Sequence, residues 1–237
     1  MIASTPAIQA LREVIPSLCR GDHSLLSKWL TDKPRSLLCI TIPCIILGCS
    51  SYGFSMGYWH GWKMAAFVAL KLPILIFCTL AVNGLINGLL AQVLNSGISM
   101  RQSMQFLLTG FAAMAVILGS LSPITLGLAI QAPAPHQDSA SDYHAATLLT
   151  HTTIIAYAGI VAHLSLLGFL KHFCPTPQAA TMTFLAWISG NLFVGAQLSW
   201  VLRPFFGSPN LQVAFLREDP FRGTFYETVW HSILHFF

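Results

Sequence analysis

Residues 64–92 read MAAFVALKLPILIFCTLAVNGLINGLLAQ, a run with no Asp or Glu and a single cation, Lys71. A helix crosses a bilayer core with about 20 apolar residues, and this run is long enough. Four further stretches share the property, at 36–58, 104–130, 145–170 and 180–202. All eight acids (Glu13, Asp22, Asp32, Asp138, Asp142, Glu218, Asp219 and Glu227) fall outside the five. The chain is 54% hydrophobic and 8% charged, whereas soluble domains carry about 25% charged residues. The expected fold class is therefore all-α, a polytopic helical membrane bundle of five transmembrane helices with amphipathic N- and C-terminal segments. The spans use most of the 237 residues, which leaves a cytosolic head at 1–35, a membrane domain at 36–203 and an outer-side tail at 204–237. Spans without acids also argue against a proton- or cation-coupled pump, which usually carries a carboxylate inside the membrane.

The twelve Lys and Arg are scattered, with no basic run. Nothing could neutralise a row of phosphates, so nucleic acid is not an expected partner. Lys and Arg in short flanking segments set orientation. The head carries Arg12, Arg20, Lys28, Lys33 and Arg35, while 131–144 has none. This places the N-terminus inside and, after five spans, the C-terminus outside. Arg203, Arg217 and Arg222 then fall outside, against the rule. A bacterial inner membrane is the expected location, with the first span acting as an uncleaved signal anchor. In the head, Ile8, Leu11, Val14, Ile15 and Leu18 recur at helical spacing, and Leu25, Leu26, Trp29 and Leu30 continue the pattern. They predict either helices lying in the membrane interface or helices packed on the loops.

Span two holds most of the polar residues. Lys71, near its outer end, is expected to snorkel toward the interface or to face a wet crevice. Pro43, Pro73 and Pro123 each remove a backbone hydrogen bond from a span and are expected to kink it. Asn83 and Asn87 share a face, followed by Gln92 and Asn95; Gly84 and Gly88 form a G-x-x-x-G on the neighbouring strip. Gly53 and Gly57 form another in span one. Small residues let helices approach closely, and amides bond across the contact. These positions read either as helix–helix contacts or as a polar lining.

Span four carries His151, Tyr157 and His163, with no acid in any span to pair with them. A neutral imidazole bonded to a hydroxyl or carbonyl is the cheapest state for His163. His136, Asp138, Asp142 and His144 are zinc-ligating types, but their spacing matches no tight metal motif. Cys39, Cys44 and Cys49 recur in steps of five and share no helix face, and no C-x-x-C occurs. The six cysteines read as packing residues, and no cofactor is implied. In the last span Asn191, Gln197, Trp200 and Arg203 lead to Pro204 and Pro209. Trp200 and Arg203 suit the headgroup boundary. In the tail, Phe225, Val229, Trp230, Ile233, Leu234 and Phe237 mark an amphipathic segment.

The five-span plan with a cytosolic head resembles the Yip-domain superfamily of small multispan membrane proteins, including its bacterial members. The likeness covers about 36–202 and includes 83–105, where the span bearing Gly and Asn leads through Ser99-Met100-Arg101-Gln102-Ser103 into the next. The D-L-Y-G-P-type motif of eukaryotic members is absent, and their GTPase partners are not carried over.

Among function classes, an intramembrane enzyme would want G-x-S-x-G with a His, paired membrane Asp residues or H-E-x-x-H. None occurs, and Ser120, Ser122, His151 and His163 have no orienting carboxylate. The expected function is a non-enzymatic scaffold or assembly partner in the bilayer, working with a membrane protein or with copies of itself. The alternative is a channel or small-solute transporter lined by Asn83, Asn87, Gln92, Asn191 and Gln197, with Lys71 setting anion preference. A lining would converge on one cavity, whereas a scaffold would pair these residues at helix contacts.

Overall fold

A computed structural model of the chain describes residues 6–20, 22–133, 140–206, 212–224 and 226–227. Seven α-helices and no strand occur among them: α1 (Pro6–Arg20), α2 (His23–Asp32), α3 (Pro34–Gly57), α4 (Trp62–Val93), α5 (Met100–Ile130), α6 (Ala140–Phe173) and α7 (Pro177–Val201). The five from α3 onward are long and apolar enough to cross a membrane. The chain is thus an all-α membrane protein of the multi-pass kind.

Local chemistry sets the helix ends. Pro34 and Pro177 stand at first helical positions, where a missing N–H costs nothing. Thr176 caps α7 by accepting a bond from the Ala179 N–H at 3.1 Å. Ser99 and Gln102 cap α5 reciprocally: the Gln102 N–H donates to Ser99 Oγ, and the Ser99 N–H donates to Gln102 Oε1. That box starts α5 at Met100, ahead of the apolar run. Gly61 and Gly97 have positive φ, as the α3–α4 and α4–α5 corners require. The helices continue through Pro43, Pro73 and Pro123.

Contacts order the helices as a ring, α3–α4–α7–α6–α5, with α4 and α5 also touching. Gly53 packs on Val68 and Gly57 on Met64, so α3 and α4 are antiparallel. Gly84 faces Met104 and Gly88 faces Met100, so α4 and α5 are antiparallel too. Gly48 meets Ala115, and Ser55 bonds Thr125, which sets α3 and α5 side by side in the same direction. One end of the bundle, the near end, therefore holds the start of α3 and the α4–α5 and α6–α7 turns. The far end holds the α3–α4 corner, the end of α5, the start of α6 and the return of the chain after α7.

The centre is filled by Tyr52, Phe106, Phe169 and Trp187, all buried, with Phe106 and Phe169 stacked at 5.2 Å. At the near end α1 and α2 lie against α3, α5 and α6. Val14, Leu18, Leu26 and Leu30 are buried in the same core, so protein covers these positions of the head's apolar stripe, while Leu11 stays exposed.

Candidate functional site

The far end collects aromatic and cationic side chains. Lys63, Phe67 and Lys71 follow one another at helical spacing along α4, which puts them on one strip. The chain leaves α7 at Leu202 and turns back over this strip. Pro204 is buried, and its carbonyl accepts a bond from Lys71 Nζ at 2.8 Å. The Lys71 Nζ also lies over the rings of Phe215, at 4.9 Å, and Phe205, at 5.8 Å. Lys71 has no remaining exposure. The expectation that it snorkels or faces a wet crevice is corrected: the returning chain closes over it and supplies the carbonyl. A carbonyl and two ring faces are what a lysine can use where no acid is at hand.

Beside it, Tyr52 of α3 and His151 of α6 share a hydrogen bond of 2.8 Å, both buried, and Phe206 packs on the His151 ring at 5.3 Å. Ser55 and Thr125 share another at 2.7 Å. Residues 204–206 thus sit between Lys71 on one side and His151 on the other. Arg203 holds the turn in place. Its guanidinium lies 3.8 Å from the Trp200 ring centroid, and its Nη1 donates to the carbonyls of Trp200 and Pro220. Trp200 Nε1 donates to the Arg222 carbonyl, and Tyr226 stacks on Phe193. The tail to which the sequence assigned an amphipathic helix lies, from residue 228 on, outside the described residues.

Toward the near end the interior is polar in a different way. Asn87 Nδ2 donates to Asn191 Oδ1 at 3.0 Å, tying α4 to α7. Asn83 is buried one turn away, and among the described residues neither its Nδ2 nor its Oδ1 has a partner. Thr183, Trp187 and Asn191 form one buried face of α7, and Thr183 Oγ1 and Trp187 Nε1 have no partner among the described residues. His163 Nδ1 donates to the Gly159 carbonyl at 2.8 Å, while its buried Nε2 has no partner among the described residues. Gly84 and Gly88 lie against the side chains of Met104 and Met100. Gln92 is exposed and Gln197 half-buried, and neither joins the Asn87–Asn191 pair. A shallow crease too tight to hold a water lies at the near end, lined by Leu30, Leu37, Thr41, Gln105 and Thr109 among others. None of the amides singled out from the sequence lines it.

Sequence reasoning missed the Tyr52–His151 bond, which joins residues far apart in the chain. It also missed Gly48, whose partner Ala115 is on another helix. Ser120 and Ser122 donate to carbonyls of their own helix. Among the described residues no three His, Cys, Asp or Glu gather as a metal site would. Of the loop residues of zinc-ligating type, His136 and Asp138 lie outside the described residues, as does the side chain of Asp142.

Two measurements test this packing. In a double-mutant cycle, Asn87→Ala and Asn191→Ala are expected to couple by about 0.6–1.7 kcal/mol; additive losses would mean that the bond contributes nothing. His144 precedes the apolar part of α6, which begins at Ala146. Burial, and then neighbouring His60, hold it below its ordinary value of 6.5. On acidification the unfolded chain takes up this proton first. The contribution of His144 is therefore full above about pH 6.5 and declines as the pH falls below it. Melting in detergent should show a Tm that drops on acidification, and less so in His144→Gln.

No family model matches the chain, and neither a curated protein nor a solved structure matches it.

Proposed function

We propose that the protein is a non-enzymatic scaffold or assembly partner embedded in a membrane. The observation that carries this reading is the use of the Asn87–Asn191 amide pair and of the glycine positions at helix contacts within the chain. Asn87 pairs with Asn191, and Gly53, Gly57, Gly84 and Gly88 each sit against a neighbouring helix. With these groups engaged internally, what the bundle offers other molecules is its outer surface and its two ends. A bacterial inner membrane with the N-terminus inside, and a relation to the Yip-like proteins through residues 83–105, belong to the same reading.

A second reading is a channel or small-solute transporter. It is favoured by the buried side chains that lack a partner among the described residues, Asn83, Ser103, Thr183 and Trp187. Buried polar groups are ordinarily bonded, and a path for a polar solute would use such groups.

The test is gentle extraction of the tagged protein at native level, followed by native mass measurement. The expected result is a stoichiometric complex with a second membrane protein. A bare monomer or homo-oligomer that conducts ions or a small solute in liposomes, with flux lost in Asn83→Leu, would replace the scaffold by the channel.

A further inference from the structure

Four cations gather at the far end, and no acid pairs with any of them among the described residues. Lys63 and Lys71 flank Phe67 on α4, with the Lys63 Nζ 5.9 Å from the Phe67 ring. Phe215 lies across this strip, its ring 5.3 Å from that of Phe67 and 4.9 Å from the Lys71 Nζ. Two residues further on, half-buried Arg217 is close enough to Lys71 and Arg203 for its charge to act on both. The acids nearby are used elsewhere or face water. Asp219 pairs with Arg222 at 4.0 Å on exposed side chains, Glu227 accepts a bond from the Thr224 N–H, and Glu218 is exposed.

Donors remain at this cluster. Lys71 is fully buried against the Pro204 carbonyl, so it adds charge to the cluster rather than a donor. Arg203 directs Nη1 and Nη2 at carbonyls, which leaves its Nε–H. Arg217 has five N–H donors and no bonded partner among the described residues. Cations brought together without counter-charge repel one another, and burial strengthens the repulsion. A bound anion would relieve it. The position narrows the anion's chemistry. The cluster stands where α7 leaves the apolar span, at headgroup depth, and it is walled by Phe67, Phe205 and Phe215. Arginine forks match phosphate oxygens, and several cations suit a group with more than one charged oxygen.

We propose that Arg203 and Arg217 form an oxyanion site for a phosphate group, with buried Lys71 adding its charge from beneath. The phosphate belongs either to an anionic phospholipid or to free inorganic phosphate, and the same experiment tells the two apart. The aromatic wall would take the apolar portion of a lipid.

The experiment uses the full chain in neutral detergent and follows its melting as ligand is added. One arm adds phosphatidylglycerol, with phosphatidylcholine as the matched neutral lipid. The other adds inorganic phosphate, with chloride at equal ionic strength. The expected result is stabilisation by phosphatidylglycerol beyond that by phosphatidylcholine, at half-saturation raised about tenfold in Arg217→Gln, the loss of one charge-assisted bond. Arg12→Gln, an exposed cation at the near end, should respond like the parent. Stabilisation by phosphate over chloride, again weakened in Arg217→Gln, assigns the site to the free ion. Equal effects of charged and neutral additives, or equal weakening by Arg12→Gln and Arg217→Gln, would overturn the proposal. Melting without additive establishes that both variants fold.

Discussion

Gly48→Leu is expected to leave no folded bundle. A Cβ built on this glycine collides with the Ala115 carbonyl, and a Cβ on Gly119 would stand 2.9 Å from the Gly48 Cα. The obstacles are backbone atoms of α5, which cannot swing aside as a flexible side chain can. A leucine must therefore push α3 and α5 apart along a length that includes the Ser55–Thr125 bond. Overpacking a well-filled core typically costs about 1–3 kcal/mol. Displacing two backbones should exceed that and consume much of a stability of about 5–15 kcal/mol. In mild detergent the variant should lose both its monodisperse elution and its cooperative melt. Gly127→Leu and Gly195→Leu should keep both, because an added Cβ there meets nothing within 4 Å. A Gly48→Leu protein that melts like the parent would show that α3 and α5 do not approach as described. Gly84→Ala is expected to be mild, since its neighbours are the Met104 Cγ and Cε at 2.9 and 3.2 Å.

Lys71→Glu is expected to release the chain that closes the far end. The new carboxylate would face the Pro204 carbonyl and the faces of Phe205 and Phe215, which repel negative charge, and the charge of Arg217 offsets only part of this. Placing the wrong charge in a buried contact costs about 3–5 kcal/mol, and one kcal/mol and a half is about tenfold in a local opening equilibrium. The backbone amides of Phe205 and Phe206 should then exchange with deuterium about a hundredfold faster. Lys71→Met keeps the stem and removes the charge. It leaves the Pro204 carbonyl unbonded, at about 1–3 kcal/mol, but it also removes the cost of burying an ammonium. The two nearly cancel, so a net change under about 1 kcal/mol is expected. Equal exchange in Lys71→Glu and the parent would mean that the lysine does not hold the tail.

Five membrane helices were legible because absence of charge over a long run is a local property. The ends were less so. The run at 104–130 gives no sign that the helix begins at Met100, because the start is set by the Ser99 and Gln102 side chains, both polar. The run at 180–202 likewise starts late, since Thr176 and Pro177 begin the helix in polar sequence. Asn83, Asn87, Gly84 and Gly88 could be picked out as contact residues from their spacing, but their partners could not. Asn191 and the two methionines lie on other helices, and register between helices is decided by packing rather than by period. Lys71 is the sharpest case. Local rules send a lysine on a span toward water, and the carbonyl that holds it comes from a residue 133 positions later.

That separation carries a consequence for synthesis. A ribosome delivers α4 to the membrane well before Pro204 and Phe215 are made. For that interval Lys71 has neither carbonyl nor ring, and its ammonium must stay hydrated or neutral in the nascent chain. Closure of the far end is thus a late event, which waits for the chain beyond α7 to emerge and turn back. Until then the insertion machinery, and not the finished fold, has to shelter the one charge that this helix carries into its apolar stretch.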